Sequence, residues 1–254
     1  NDEFADYETW DKGSFGLEPH QEDMLPREYA REALKRGLAY EEKLGANPFK
    51  FGMIGSTDAH TGLATTDEDN WFGKVAMLEP TADPIRFEEV IIGRVPEDRP
   101  EETRIRAAQT AAAGLAAVWA RDNTREAIWD AFSRREVFAT TGTRLRVRVF
   151  GGFGYGKDDL DRSDFAKYGY DNGVPMGGDL SAAPKGKTPG FLVRAVRDAD
   201  GANLDRVQII KGWVDAGGEL HEKVYDVAVA GNRSIGPDGR CMTPVGNTVN
   251  VEEA

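Results

Sequence analysis

Phe49-Lys50-Phe51-Gly52-Met53-Ile54-Gly55-Ser56-Thr57-Asp58-Ala59-His60-Thr61-Gly62 is the stretch on which the reading of this chain turns. The apolar run Phe49–Gly55 predicts a strand, and Thr61-Gly62 opens a loop after it. Asp58 and His60 stand two apart at the strand tip, and residues i and i+2 of a strand share a face. A converging carboxylate and imidazole suit a divalent metal such as zinc, manganese or iron. Ser56, Thr57 and Thr61 would orient such ligands through their hydroxyls. Spacing alone leaves open a capping or purely structural role for Asp58. Two ligands do not make a metal site, and the chain has only three histidines.

Upstream, Tyr29, Ala33, Leu34, Leu38 and Leu44 recur at helical spacing. They predict a helix from about Pro26 to Leu44, stopped by Gly45 and Pro48. Helix, short loop and apolar strand in succession suggest an α/β architecture. Further upstream, Phe4, Tyr7 and Trp10 predict a helical turn against a core, with Asp6 and Glu8 facing solvent. Downstream, residues 61–74 form a polar loop anchored by Trp71 and Phe72, either a substrate-contacting loop or a surface excursion. Residues 79–104 predict an exposed insertion with one apolar patch, Val90-Ile91-Ile92, and 107–120 a helix turning into a short strand.

Asn123 and Glu126 have capping-box spacing before a helix that carries Ala127, Ile128, Ala131 and Phe132 on one face. Val137–Gly142 then predicts a second strand ending in hydroxyls and glycine, and parallel α/β sheets present their sites at such ends. Thr140, Thr141 and Arg144 there would hold a phosphate or carboxylate, or else form a turn with a surface arginine. From Arg144 the period falls to two, with Leu145, Val147 and Val149 alternating with arginines. Short apolar runs separated by glycine turns follow, as in antiparallel β structure. The expected division is 1–150 and 151–254.

The formal net charge of −12, without a basic block, argues against nucleic-acid binding. No run approaches the roughly 18 apolar residues of a membrane helix. The single cysteine, Cys241, excludes an intrachain disulfide and a thiolate cluster, and leaves the compartment open. His20 and His221 read as surface residues. No serine lies in a nucleophile-elbow context. The glycines at 151, 152, 154 and 156 precede an acidic stretch, not the helix of a phosphate-binding loop. The chain opens on Asn1 without a charged-then-apolar leader, and the expectation is a piece of a longer protein.

Several blocks resemble one bacterial family, domain of unknown function 3604 (DUF3604). They are Phe51–Leu63, Gly114–Ala120, Ala139–Arg144, Gly173–Leu180, Asp200–Trp213 and Leu220–Asp226. That family looks related to the polymerase-and-histidinol-phosphatase (PHP) superfamily of metal-dependent hydrolases. The resemblance implies a distorted parallel β/α barrel, here its C-terminal part, followed by a mostly antiparallel β region. It also implies two or three bound metals, zinc, manganese or iron. The superfamily's Ser-Asp-x-His tip contributes both its Asp and its His as ligands. Asp58 and His60 match them, with Thr57 standing between Ser56 and Asp58. The superfamily's opening His-x-His motif and its middle histidine and glutamate ligands have no counterpart in this chain, so the metal site of this piece is expected to be incomplete.

The function these features imply is part of a phosphoesterase-like, metal-dependent hydrolase that uses metal-activated water. Asp58 and His60 would be ligands, with Arg144 and Thr141 as weak candidates for substrate contact. The expected partners are a small-molecule or phosphoester substrate and the missing N-terminal part or a second copy. No nucleic acid or membrane partner is expected. Two alternatives stay open: a non-catalytic β binding module with a vestigial metal site, and a metal-dependent amide or sulfate-ester hydrolase.

Overall fold

The computed structural model describes residues 23, 30–62, 74, 83–92, 104–109, 114–237 and 239–250. The helices are α1 (Ala30–Leu44), α2 (Ile85–Glu88), α3 (Arg125–Ser133) and α4 (Phe165–Asn172). The strands are β1 (Val90–Ile92), β2 (Ile105–Arg106), β3 (Leu115–Val118), β4 (Val137–Thr140) and β5 (Arg146–Gly152). They continue with β6 (Gly173–Pro175), β7 (Gly190–Val196), β8 (Arg206–Val214) and β9 (Leu220–Val229). The chain forms two compact units. One holds Asn1–Lys50, Ser56–Ala113 and Asp205–Pro244, and the other Phe51–Gly55, Gly114–Leu204 and Val245–Ala254.

In the first unit α1 is built from strong helix formers, Ala, Leu, Glu, Lys and Arg. Gly45, at φ 74°, ends it by donating to the Glu41 carbonyl at 2.8 Å. The helix lies on the β8–β9 hairpin, where Glu222 pairs with Arg31 at 3.2 Å and Lys35 at 3.4 Å. Gly212 admits the Lys35 stem, since a Cβ there would stand 2.9 Å from Lys35 Cγ. The hairpin is antiparallel from Arg206 opposite Val229 to Val214 opposite Leu220. Asp215 closes its turn by accepting from the N–H groups of Gly217 (2.9 Å) and Glu219 (3.0 Å). At the other end Arg233 donates to the Asp205 carboxylate at 2.6 Å and to its carbonyl at 2.6 Å. Helix α2, a 3-10 turn at Ala107–Gln109 and a short antiparallel pair, β1–β2, complete the regular structure described in this unit.

In the second unit β3 and β4 pair antiparallel, Leu115 opposite Thr140 through Val118 opposite Val137. Thr124 caps α3, its hydroxyl accepting from the Ala127 N–H at 3.3 Å. The helix ends in a Schellman arrangement with Arg135 at φ 60°. Glu136 N–H bonds the Ala131 carbonyl at 3.0 Å and Arg135 N–H that of Phe132 at 2.9 Å. A three-stranded antiparallel sheet, ordered β6-β5-β7, carries the core. Phe150 and Leu192 from this sheet pack with Phe165 of α4, all three buried.

The described residues thus form a mixed α/β protein with small antiparallel sheets, and among them no closed barrel is formed. The β structure after Arg144 is antiparallel, in keeping with the period-two pattern. Three details differ from the reading of the sequence. Phe51–Gly55 has no regular secondary structure and joins no ladder; its Gly55 N–H bonds the Leu115 carbonyl at 3.2 Å. Gly52 and Gly55 explain this close flanking path, because a Cβ would meet Val137 Cγ2 at 2.7 Å and the Thr140 carbonyl at 2.7 Å. The strand Val137–Thr140 runs antiparallel to its neighbour, not parallel. The α3 cap is Thr124 rather than Asn123, so Ala127 stands where a capping box needs Glu. The aromatic turn at Phe4–Trp10, His20, Pro26 with Tyr29, the anchors Trp71 and Phe72, and most of 79–104 lie outside the described residues.

Candidate functional site

Irregular chain carries Ser56–Ala59 up to His60. At its tip Asp58 adopts φ 54°, a left-handed conformation that costs a non-glycine residue free energy, though Asp tolerates it better than most. The kink is held from one side by Lys74. Its ammonium reaches the Asp58 carbonyl at 2.5 Å and Oδ2 at 2.5 Å, while the Lys74 carbonyl accepts from His60 N–H at 2.7 Å. Lys74 is only 7 % exposed, whereas the Asp58 and His60 side chains are each 61 % exposed. The kink therefore has a buried cationic support and a solvent-facing carboxylate and imidazole.

His60 Nε2 stands 3.1 Å from Asp58 Oδ1. Asp58 is an acceptor, so in this arrangement Nε2–H donates. The Lys74 hydrogen bond holds the Asp58 carboxyl below its ordinary range; slight burial works against this, and the Lys74 charge and His60 reinforce it. The carboxylate is thus ionised near neutral pH. Two ligands at tetrahedral zinc, each about 2.05 Å from the ion, stand about 3.3 Å apart. The Asp58–His60 separation fits two corners of such a site. The corner atoms would be Oδ1 and Nε2, since Oδ2 is taken by Lys74; a metal would replace their mutual hydrogen bond and move the imidazole proton to Nδ1. No group of three or more His, Cys, Asp or Glu side chains gathers for a metal among the described residues.

Thr141 and Arg144 lie in the second unit, in the turn between β4 and β5, and both are exposed. The Arg144 backbone N–H donates to the Asp198 carboxylate, which also accepts from Asp200 N–H at 3.2 Å. Those backbone bonds, Arg144's first, hold Asp198 below the usual carboxylate range. Arg144 thereby ties its turn to the loop after β7. Thr140 is buried, and its hydroxyl accepts from Gly142 N–H at 3.4 Å.

Two features escaped the sequence. Lys74 is 16 residues from Asp58 in a polar loop, and no periodicity marks it as buried. His221 is more than a lone surface imidazole: Nε2 stands 2.7 Å from Asp215 Oδ2, and the ring stacks on Trp213 at 5.3 Å. Only the hairpin register, which sets Trp213 opposite His221, reveals that pairing.

Fold and site together define a mixed α/β protein with a solvent-facing Asp–His pair braced by a buried lysine. The chain belongs to the family described as Protein of unknown function (DUF3604), which it matches over residues 1–254. Comparison with curated proteins and with solved structures yields no match.

Proposed function

We propose that Asp58 and His60 form two corners of a divalent-metal site in a metal-dependent hydrolase that acts on phosphoesters. The observation behind this reading is the 3.1 Å approach of Oδ1 and Nε2 on an exposed tip. The tip is kinked into the left-handed region and backed by a buried lysine. Kinship with the polymerase-and-histidinol-phosphatase superfamily and its barrel belongs to this proposal, and rests on the Ser56–His60 motif. Among the described residues no third ligand joins the pair.

A bound zinc, manganese or iron ion supplies a nucleophilic water near neutral pH and polarises the phosphoryl oxygen. The chain's own residues do the rest. Lys74 occupies Oδ2 and fixes the carboxylate plane, leaving Oδ1 to face outward beside the imidazole. The His60 N–H bond to the Lys74 carbonyl locks the backbone on which both side chains turn.

The test is metal content by mass spectrometry after incubation with zinc, manganese or ferrous iron and removal of the excess. Asp58→Ala and His60→Ala should each lower bound metal at least tenfold while circular dichroism stays unchanged. Retention of full metal content by both variants would overturn the assignment. Turnover of an aryl phosphate in preference to an aryl sulfate or an anilide is expected; the reverse order replaces the phosphoester by another bond.

A further inference from the structure

On the second unit's sheet, the face that buries Phe150 and Leu192 continues along β5 and β7 into arginines. Arg148 stands directly opposite Arg194, and Arg146 opposite Val196, one step further on. Like charges placed opposite one another on antiparallel strands destabilise the pair. The chain as a whole holds 44 acidic and 32 basic residues, so chance favours acids beside these positions. The structure has the opposite. Arg146, Arg148 and Arg194 line one cleft of about 260 Å³ with Trp119, Phe165 and Val196, and among the described residues no acidic side chain lines it.

Two of these guanidiniums are fixed. Arg194 lies 4.0 Å over the Phe165 ring and donates to the Arg162 carbonyl at 3.3 Å and to that of Leu160. Arg148 lies 4.2 Å over the Trp119 ring, donates to the Tyr170 hydroxyl at 2.8 Å and, behind the cleft, pairs with Oε1 of buried Glu136 at 3.8 Å, to which Tyr170 also donates. Its Nε is buried without a hydrogen-bond partner. Trp119 is anchored too, its indole N–H bonding the Val147 carbonyl at 3.0 Å. Arg146 differs: it is exposed, and its guanidinium has neither hydrogen bond nor ion pair among the described residues.

We infer that this cleft is a binding site for a small organic anion with a planar or aromatic body. The anionic head meets the free Arg146 guanidinium and the cationic field of Arg194, with Arg148 partly neutralised by Glu136, and its negative charge offsets the repulsion among the arginines. The body lies along Trp119, Phe165 and Val196. The volume suits a single substituted ring rather than a dinucleotide. Phosphonate, sulfonate and carboxylate heads share this chemistry, and the site is independent of the proposed metal tip.

Isothermal titration calorimetry of the full chain with phenylphosphonate, benzenesulfonate and benzoate tests it. At least one should bind saturably at one site, the preferred head naming itself, and binding should weaken with added salt. Benzyl alcohol should not bind, and inorganic phosphate should bind at least tenfold more weakly. Arg146→Ala should cost at least tenfold in affinity with unchanged circular dichroism and melting. Val196→Trp should block the cleft while leaving every charge in place, and Asp58→Ala should leave binding intact. The inference falls if no aryl anion binds, if Arg146→Ala and Val196→Trp both bind normally, or if Asp58→Ala abolishes binding. Equal affinity for inorganic phosphate overturns the role given to the aromatic walls.

Discussion

Gly169 sets two opposing effects against each other. It sits inside α4, where replacement by alanine should stabilise the helix by about 0.8–1.0 kcal/mol. A Cβ at this position, however, would stand 2.4, 2.5 and 2.6 Å from three atoms of the Phe150 ring. That ring is fully buried, and it is boxed by Phe165 at 5.8 Å and Tyr170 at 5.1 Å between centroids. It has nowhere to yield. Overpacking of a tight core costs about 1–3 kcal/mol, and contacts this short belong at the upper end. Sterics should therefore win, with Gly169→Ala losing about 2 kcal/mol net. Urea unfolding read by near-ultraviolet circular dichroism, which reports packing of these rings, measures it. Phe150→Leu vacates part of the ring's volume, so the double variant should recover about 1–2 kcal/mol relative to additivity. Because Phe165 walls the arginine cleft, Gly169→Ala should also weaken phenylphosphonate binding there. A neutral or stabilising Gly169→Ala would refute the close packing of α4 on β5.

Thr124→Ala removes the hydroxyl that accepts from Ala127 N–H, and should destabilise the second unit by about 1 kcal/mol in the same urea assay. Asp205→Ala strips a carboxylate from two largely buried arginines, Arg206 and Arg233, and should cost about 2 kcal/mol, less than a fully buried pair because Asp205 is partly exposed. Acid should act through the same group. Burial pushes the Asp205 carboxyl up, but hydrogen bonds from Arg233 and Arg206 outweigh it and hold the folded value below the ordinary one. Its stabilisation is therefore present above the unfolded carboxylate value of about 3.9 and is lost as pH falls through the lower folded value. Asp205→Asn should flatten the acid limb of the stability profile, and an unaltered limb would contradict the pairing.

Local rules read well where the chain's own pattern decides. The alternation of Arg144–Val149 marked β5, because a strand with two different faces must repeat every second residue. The α1 stop at Gly45 was visible for the same kind of reason: a left-handed position needs glycine. Pairing direction was not visible. Val137–Thr140 is a short apolar run, and such a run has the same composition whether its neighbour is parallel or antiparallel. Phe51–Gly55 has the apolar content of a strand. Its two glycines, however, serve close approach to β3 and β4 instead of a ladder, a use that only three-dimensional contacts disclose.

The candidate site divides in the same way. Asp58 and His60 were legible because a two-residue spacing is local. Lys74 was not, and it changes the chemistry most. On a strand, the shared face of i and i+2 would itself bring the two donors together. In the structure the convergence arises at a left-handed kink, where strand periodicity does not apply. Such a conformation persists only when its surroundings over-determine it, and here the surroundings are one buried ammonium on both the carbonyl and the carboxylate of Asp58. Lys74 thus has two opposed effects on a metal at this tip. Its charge repels the cation, while its grip holds Oδ1 beside Nε2. Loss of the grip lets an exposed carboxylate regain its rotamers, and a ligand pair scattered in this way binds a metal less well however favourable the local field. On the proposed reading Lys74 is therefore a positioning residue for the Asp–His pair, and Lys74→Met should lower metal retention although it removes a repelling charge; increased retention would make Lys74 a competitor instead.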